Sequence, residues 1–75
     1  MAYVLINTKP GAEEQVYSQL AALANIDDIY TLFGEYDIIV KTEAKDYPLL
    51  ENLIVSKIRN IKGIVDTKTL VVIKL

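Results

Sequence analysis

The chain has 75 residues, 52% hydrophobic and 24% charged, which fits one folded domain spanning residues 1–75 and excludes a two-domain enzyme or a disordered segment. Eight Lys and Arg against ten Asp and Glu leave a net charge of −2, so no basic field is available for a nucleic-acid backbone and direct binding to DNA or RNA is not expected. Cys and His are both absent, removing disulfides, the usual zinc sites, Ser-His and Cys-His nucleophile pairs and the ordinary proton shuttle of neutral pH; no catalytic residue, metal ligand or cofactor is expected.

Residues 3–8, Tyr-Val-Leu-Ile-Asn-Thr, form a short, largely β-branched or aromatic run that stops at Lys9-Pro10-Gly11, which predicts a first strand. Over residues 12–24 the large apolar residues Val16, Leu20 and Leu23 share one helical face, with Gly11 and Glu14 as the expected N-terminal cap and Asn25 as the stop. Residues 26–33 alternate, with Ile29 and Thr31 on one side and Tyr30 and Leu32 on the other, and end at Gly34-Glu35, the expected turn of a hairpin. The return strand is residues 36–42. Asp46 can cap a second helix that tolerates Pro48 in its first turn, since the missing N–H has no intrahelical partner there. Its apolar face is Leu50, Leu53, Ile54, Ile58 and Ile61, its last turns carry Lys57, Arg59 and Lys62, and Gly63 is placed to end it. A final strand runs from Ile64 or Val65 to Leu75. The order β-α-β-β-α-β predicts an α+β, ferredoxin-like βαββαβ fold. Asp28-Ile-Tyr-Thr-Leu32 and Asp66-Thr-Lys-Thr-Leu70 echo one another, as its pseudo-symmetry expects.

The runs Val4-Leu5-Ile6, Ile38-Ile39-Val40 and Leu70-Val71-Val72-Ile73 are continuously apolar, as in strands buried on both faces, yet two helices can cover only one face. A second copy covering the other face predicts a homodimeric α/β sandwich with a two-fold axis. No apolar run approaches the roughly 18 residues that span a bilayer, and the N-terminal residues lack the pattern of a signal peptide. The expectation is a cytoplasmic protein without a membrane partner.

The most distinctive segment is Gly34-Glu35-Tyr36-Asp37. It reads as a plain hairpin turn, with Gly supplying a positive φ and the acids solvating the tip. It also reads as a site, because amides near Gly34 can receive a carboxylate and Asp37 an ammonium, the two groups of a free amino acid. Thr67 and Thr69 put hydroxyls on one side of the last strand, where threonine is also an ordinary strand former. The acid pairs Glu13-Glu14 and Asp27-Asp28 diverge along their elements and have no further ligands to complete a metal shell. Ser18 and Ser56 have no activating partner, and the cluster Lys57, Arg59 and Lys62 lacks the aromatics of an RNA-reading sheet.

Pro10-Gly11 after strand one, Phe33-Gly-Glu-Tyr-Asp-Ile-Ile-Val-Lys41, Asp46, Ile61-Lys-Gly-Ile-Val65 and Thr67-Lys-Thr-Leu-Val-Val72 together resemble the ligand-sensing domain of Lrp/AsnC transcription regulators, the RAM domain. The resemblance runs the length of the chain. It implies a dimeric sandwich that assembles into a ring of dimers and binds an amino acid in clefts between them. Carried onto this sequence, Gly34, Tyr36 and Asp37 form one wall, with Tyr30, Tyr47, Leu70, Val71 and Val72 around the pocket or its coupling surface. The residues themselves supply that chemistry only for Gly34 and Asp37. Full-length regulators of this kind place a helix-turn-helix before the domain, whereas this sequence opens at strand one. The expectation is therefore a stand-alone amino-acid-sensing domain that modulates transcription through a full-length Lrp/AsnC partner. The alternatives are an assembly or adaptor module without a ligand, and a small dimeric ferredoxin-like enzyme. The enzyme is disfavoured by the missing histidine and by acids placed on turns and helix exteriors.

Overall fold

The elements run β1 (Ala2–Thr8), α1 (Glu13–Ala21), β2 (Ile26–Thr31), β3 (Ile38–Thr42), α2 (Tyr47–Asn52) with a π-helical continuation (Leu53–Ile58), and β4 (Ile64–Val71) in a computed structural model that describes residues 1–73. The strands form one antiparallel sheet in the order β2-β3-β1-β4, the expected ferredoxin-like arrangement. β4 ends at Val71, short of the expected Leu75: Val72 and Ile73 follow outside the strand, and Lys74 and Leu75 lie outside the described residues. Among the described residues no helix is long and apolar enough to cross a membrane.

β1 is bonded on both sides, and its alternation decides what is inside. Ala2, Val4, Ile6 and Thr8 are buried while Tyr3, Leu5 and Asn7 are half-buried on the other face. The register sets Val4 opposite Val40 and Ile6 opposite Ile38, so these four side chains form one apolar floor. Val16 and Leu20 from α1 and Leu50, Leu53, Ile54, Ile58 and Ile61 from the second helical stretch close over it. Each fully buried aliphatic side chain contributes about 1.5–3 kcal/mol. Thr42 at the end of β3 is completely buried and satisfies its hydroxyl by donating to the Asn25 carbonyl at 2.8 Å, as a buried polar group must.

α1 is shorter than its periodicity suggested. Ala12 stands at the N-cap with no side-chain cap bond, and Glu13 rather than Glu14 reaches back, its Oε1 accepting from the Gly11 amide at 3.2 Å. The helix stops at Ala21, with Leu23 packed against the core from the following turn. In the second helix Asp46 caps as expected, its Oδ1 accepting from the Leu49 amide at 2.8 Å, with Pro48 in the first turn. The π-helical continuation has a cause in the apolar spacing. At about 100° per residue, a regular α-helix would aim Lys57 about 20° from Leu50, into the apolar stripe, and swing Ile58 towards its edge. One wider turn, in which the Arg59 amide donates to the Ile54 carbonyl at 2.9 Å, leaves Lys57 exposed and Ile58 fully buried.

β2 stops at Thr31 and the return strand starts at Ile38, each two residues short of the sequence expectation, with the Leu32 amide and Asp37 carbonyl closing a wider tip between them. Gly63 joins the helix to β4 at φ +103°, with its carbonyl accepting from the Lys9 amide at 2.8 Å. A Cβ there would lie 3.0 Å from both Ala12 Cβ and Val16 Cγ2. Gly63→Ala is expected to cost about 1–3 kcal/mol from strained backbone and overpacking. A lowered urea midpoint checks this; an unchanged midpoint would mean α1 can yield.

Candidate functional site at the hairpin tip

Residues 33–36 form the tip between β2 and β3, closed by the Leu32 amide donating to the Asp37 carbonyl at 2.8 Å. Gly34 sits at φ +155° with open space where a Cβ would be, so backbone conformation rather than crowding favours glycine there. The amides of Phe33, Gly34, Glu35 and Tyr36 donate to no group among the described residues. Asp37 is anchored on β1: its amide donates to the Ile6 carbonyl at 2.9 Å, and its Oδ2 accepts from the Thr8 amide at 2.8 Å and the Thr8 hydroxyl at 3.2 Å. Its Oδ1 accepts no hydrogen bond from the described residues. The tip therefore offers unpartnered amides beside a carboxylate whose orientation is held from behind.

Thr8 is the residue that sequence reasoning missed. It lies 29 positions from Asp37, and only the alternation of β1, which turns every second side chain inward, hinted that it was not solvated.

The eight expected site residues do not converge within one chain. Gly34, Tyr36 and Asp37 stand at the Thr8 end of β1. Tyr47 and Val71 meet at its Ala2 end, in a groove between α2 and β4. The two groups are separated by the length of β1, about 20 Å. Leu70 lies opposite Tyr3 on the face away from the helices, Val71 opposite Ala2 on the helix side, and Val72 just beyond the strand with its amide donating to the Met1 carbonyl at 3.0 Å. Tyr30, 60% exposed, lies opposite Ile39 on edge strand β2. Thr67 and Thr69 pair with Ile6 and Val4 and so face the helix side, where the Thr67 hydroxyl accepts from Arg59 Nε at 3.4 Å.

The sheet face away from the helices is the second candidate surface. Its apolar centre is Tyr3, Leu5, Ile39 and Leu70, flanked by Tyr30, and Asp28, Lys41, Asp66 and Lys68 surround it with balanced charge. Nothing in the described chain covers it. Among the described residues no group of three or more acids is placed to hold a metal ion.

The split βαβ sheet with helices on one face and an apolar second face is the ferredoxin-like α+β architecture, and the class of the domain follows from its relatives. The chain belongs to the Lrp/AsnC ligand binding domain family, whose sequence model matches residues 1–75. The HTH-type transcriptional regulator FL11 of Pyrococcus horikoshii is 34% identical over 74 residues, covering 99% of this chain and 48% of the regulator. This chain thus spans about half the length of the curated regulators it matches, and transcription regulators are the majority of its relatives. Homocitrate synthase of Sulfurisphaera tokodaii also matches, 37% identical over 75 residues that make up 93% of this chain and 16% of the enzyme. Among solved structures, FFRP-DM1 superposes with a TM-score of 0.91 at 36% identity, covering 96% of both chains. Escherichia coli AsnC shares the fold, with a TM-score of 0.93 at 23% identity over 99% of this chain and 50% of that one. So does the Neisseria meningitidis regulator NMB0573 in complex with L-Met, at 0.89 and 16% over 97% and 49%.

Because Asp37 joins the hairpin to β1, Asp37→Ala strands the Thr8 amide and hydroxyl and is expected to cost about 1–3 kcal/mol of fold stability. Asp37→Asn keeps an acceptor and should cost less. Chemical denaturation of the two variants side by side checks that ordering; equal stability of Asp37→Ala and wild type would mean the Thr8 bonds carry nothing.

Proposed function

We propose that this chain senses a free amino acid between copies of itself and passes the result to transcription through a full-length Lrp/AsnC regulator, in the cytoplasm and without touching DNA directly. The observation that carries the reading is the hairpin tip. Asp37 Oδ1 has no donor among the described residues and can receive an ammonium, and the neighbouring free amides around Gly34 suit a carboxylate. Tyr36 stands in the same wall and Tyr30 on the adjoining stretch of β2, while Tyr47, Leu70, Val71 and Val72 are reached from a neighbouring copy, since one chain keeps the two ends of the sheet apart. The L-Met complex of the Neisseria regulator is consistent with an amino-acid effector on this fold.

Calorimetry and thermal shift across the free amino acids test this directly, because a ligand of the native state raises its apparent stability. Asp37→Asn should retain the Thr8 anchor yet lose about 1.5–3 kcal/mol of ligand binding, roughly ten- to hundredfold in affinity. Undiminished binding by the variant removes Asp37 from the site. No binding by wild type across the panel favours an assembly or adaptor module, a reading that the homocitrate synthase match also supports, since there the same kind of domain occurs within a much longer chain.

The assembly unit in this reading is a two-fold homodimer built on the bare sheet face, extended to a ring of dimers. An isologous contact suits that face, whose charges are two acids and two lysines and so carry no net repulsion. Leu5→Lys places a charge at its centre on the central strand. It should dissociate the dimer while leaving the monomer core intact, because an unpaired buried charge costs several kcal/mol. Sedimentation equilibrium reads the result, and an unaltered dimer would move the interface elsewhere.

A further inference from the structure

We infer that Arg59, in the groove between the second helical stretch and β4, selects an amino acid whose side chain ends in a carboxylate. The inference rests on the reading of an amino-acid effector and names its chemical class. In that reading the ammonium and the α-carboxylate are met at the hairpin tip, and the side chain is left to the surroundings of Tyr47 and Val71. Those two residues line a groove of about 290 Å³ whose walls also hold Ile54, Thr69, Glu51 and Arg59.

The widened turn that buries Ile58 also places Arg59. In a regular α-helix Arg59 would stand about 180° round from Leu50, on the solvent side. The extra residue taken up before it, with its amide donating to the Ile54 carbonyl at 2.9 Å, turns it about 100° back towards β4. There its Nε donates to the Thr67 hydroxyl at 3.4 Å. This bond draws the guanidinium over the strand and leaves both Nη groups without a partner among the described residues. The Thr69 hydroxyl, two residues along β4 on the same side, is also unengaged among the described residues.

Two acids stand near, and neither neutralises the guanidinium. Glu51 comes eight residues earlier, about 12 Å back along the helix, and Asp66 alternates with Thr67 on to the opposite face of the sheet. No ion pair joins either of them to Arg59 among the described residues. A guanidinium fork beside apolar walls of Leu50, Ile54, Val55 and Val71 matches a carboxylate taken in bidentate fashion, and the Thr69 hydroxyl supplies a further donor. A side-chain amide in the same place presents one acceptor and turns its NH₂ towards the guanidinium, while an aliphatic side chain presents no acceptor at all. Lys57 and Lys62, the other cations of this stretch, are exposed and line neither groove that Arg59 borders.

Calorimetry of the full chain with L-aspartate, L-glutamate and their amides reads the preference. At least one acid should bind tenfold or more tighter than its amide. Arg59→Gln should remove that preference by weakening the acid tenfold or more with little change for the amide, and Arg59→Lys, which keeps the charge without the fork, should fall between. Lys57→Gln makes the same change of charge outside the groove and should leave the preference in place. Glutarate carries the terminal carboxylate without an ammonium, so it reads the groove without Asp37. In proton–nitrogen correlation spectra it should shift the Thr67 and Thr69 amides of wild type and of Asp37→Asn, and not those of Arg59→Gln. An amide or aliphatic amino acid that binds as tightly as the acid, or a preference that survives in Arg59→Gln, overturns the inference and leaves the Asp37 reading standing. Glutarate shifts without binding of any amino acid support Arg59 as the carboxylate receptor and sink the Asp37 reading instead. A wild type whose Thr67 and Thr69 amides respond to neither glutarate nor an acidic amino acid also overturns the inference.

Discussion

Two helices can cover only one face of a four-stranded sheet, and most of what this chain does is organised by that shortage. β1 lies inside the sheet and carries alternate residues to opposite faces, so Val4 and Ile6 disappear beneath α1 and the second helical stretch while Tyr3 and Leu5 look outward. Ile38 and Val40 of β3 follow them inward, and Ile39 is left outside. The inward set is a dry core of branched aliphatics. The outward set has no such cover, and its apolar centre within a balanced ring of charges suits a surface that must stay dispersed alone yet can be buried against a copy of itself.

The same sheet geometry holds the hairpin tip in place while leaving polar groups on it unpartnered among the described residues. Asp37 uses one carboxylate oxygen and its amide to lock the start of β3 onto β1. That leaves the other oxygen and the tip amides free without leaving the loop loose. The proposed site is thereby pre-oriented, and pre-orientation reduces the ordering cost of binding. The long axis of β1 then sets the spacing of everything else: whatever is anchored at Thr8 is held away from Tyr47 and Val71, so residues of the two ends can cooperate only across a chain boundary.

Family membership fits this division of labour. The domain occurs in regulators of about twice this length and as a small fraction of a homocitrate synthase, a distribution that suits a module whose chemistry is recognition and association.

The order of elements, the helix faces and the Asp46 cap were legible in the sequence, because they depend on periodicity and on chemistry within a few residues. The composition also sufficed to expect apolar side chains on both faces of β1 and β3. Three features were decided only by tertiary packing. The widened turn before Arg59 arises from conflict between a regular helical period and a core that must take Ile58 and reject Lys57. The anchoring of the hairpin on β1 through the bond of Asp37 to Thr8 joins partners far apart in sequence, for which no local pattern exists. The division of the expected site between the two ends of β1 follows from strand register. A hydrophobic pattern states which residues seek cover, but it is the hydrogen-bonded pairing of β1 with β3 and β4 that determines which of them can stand side by side.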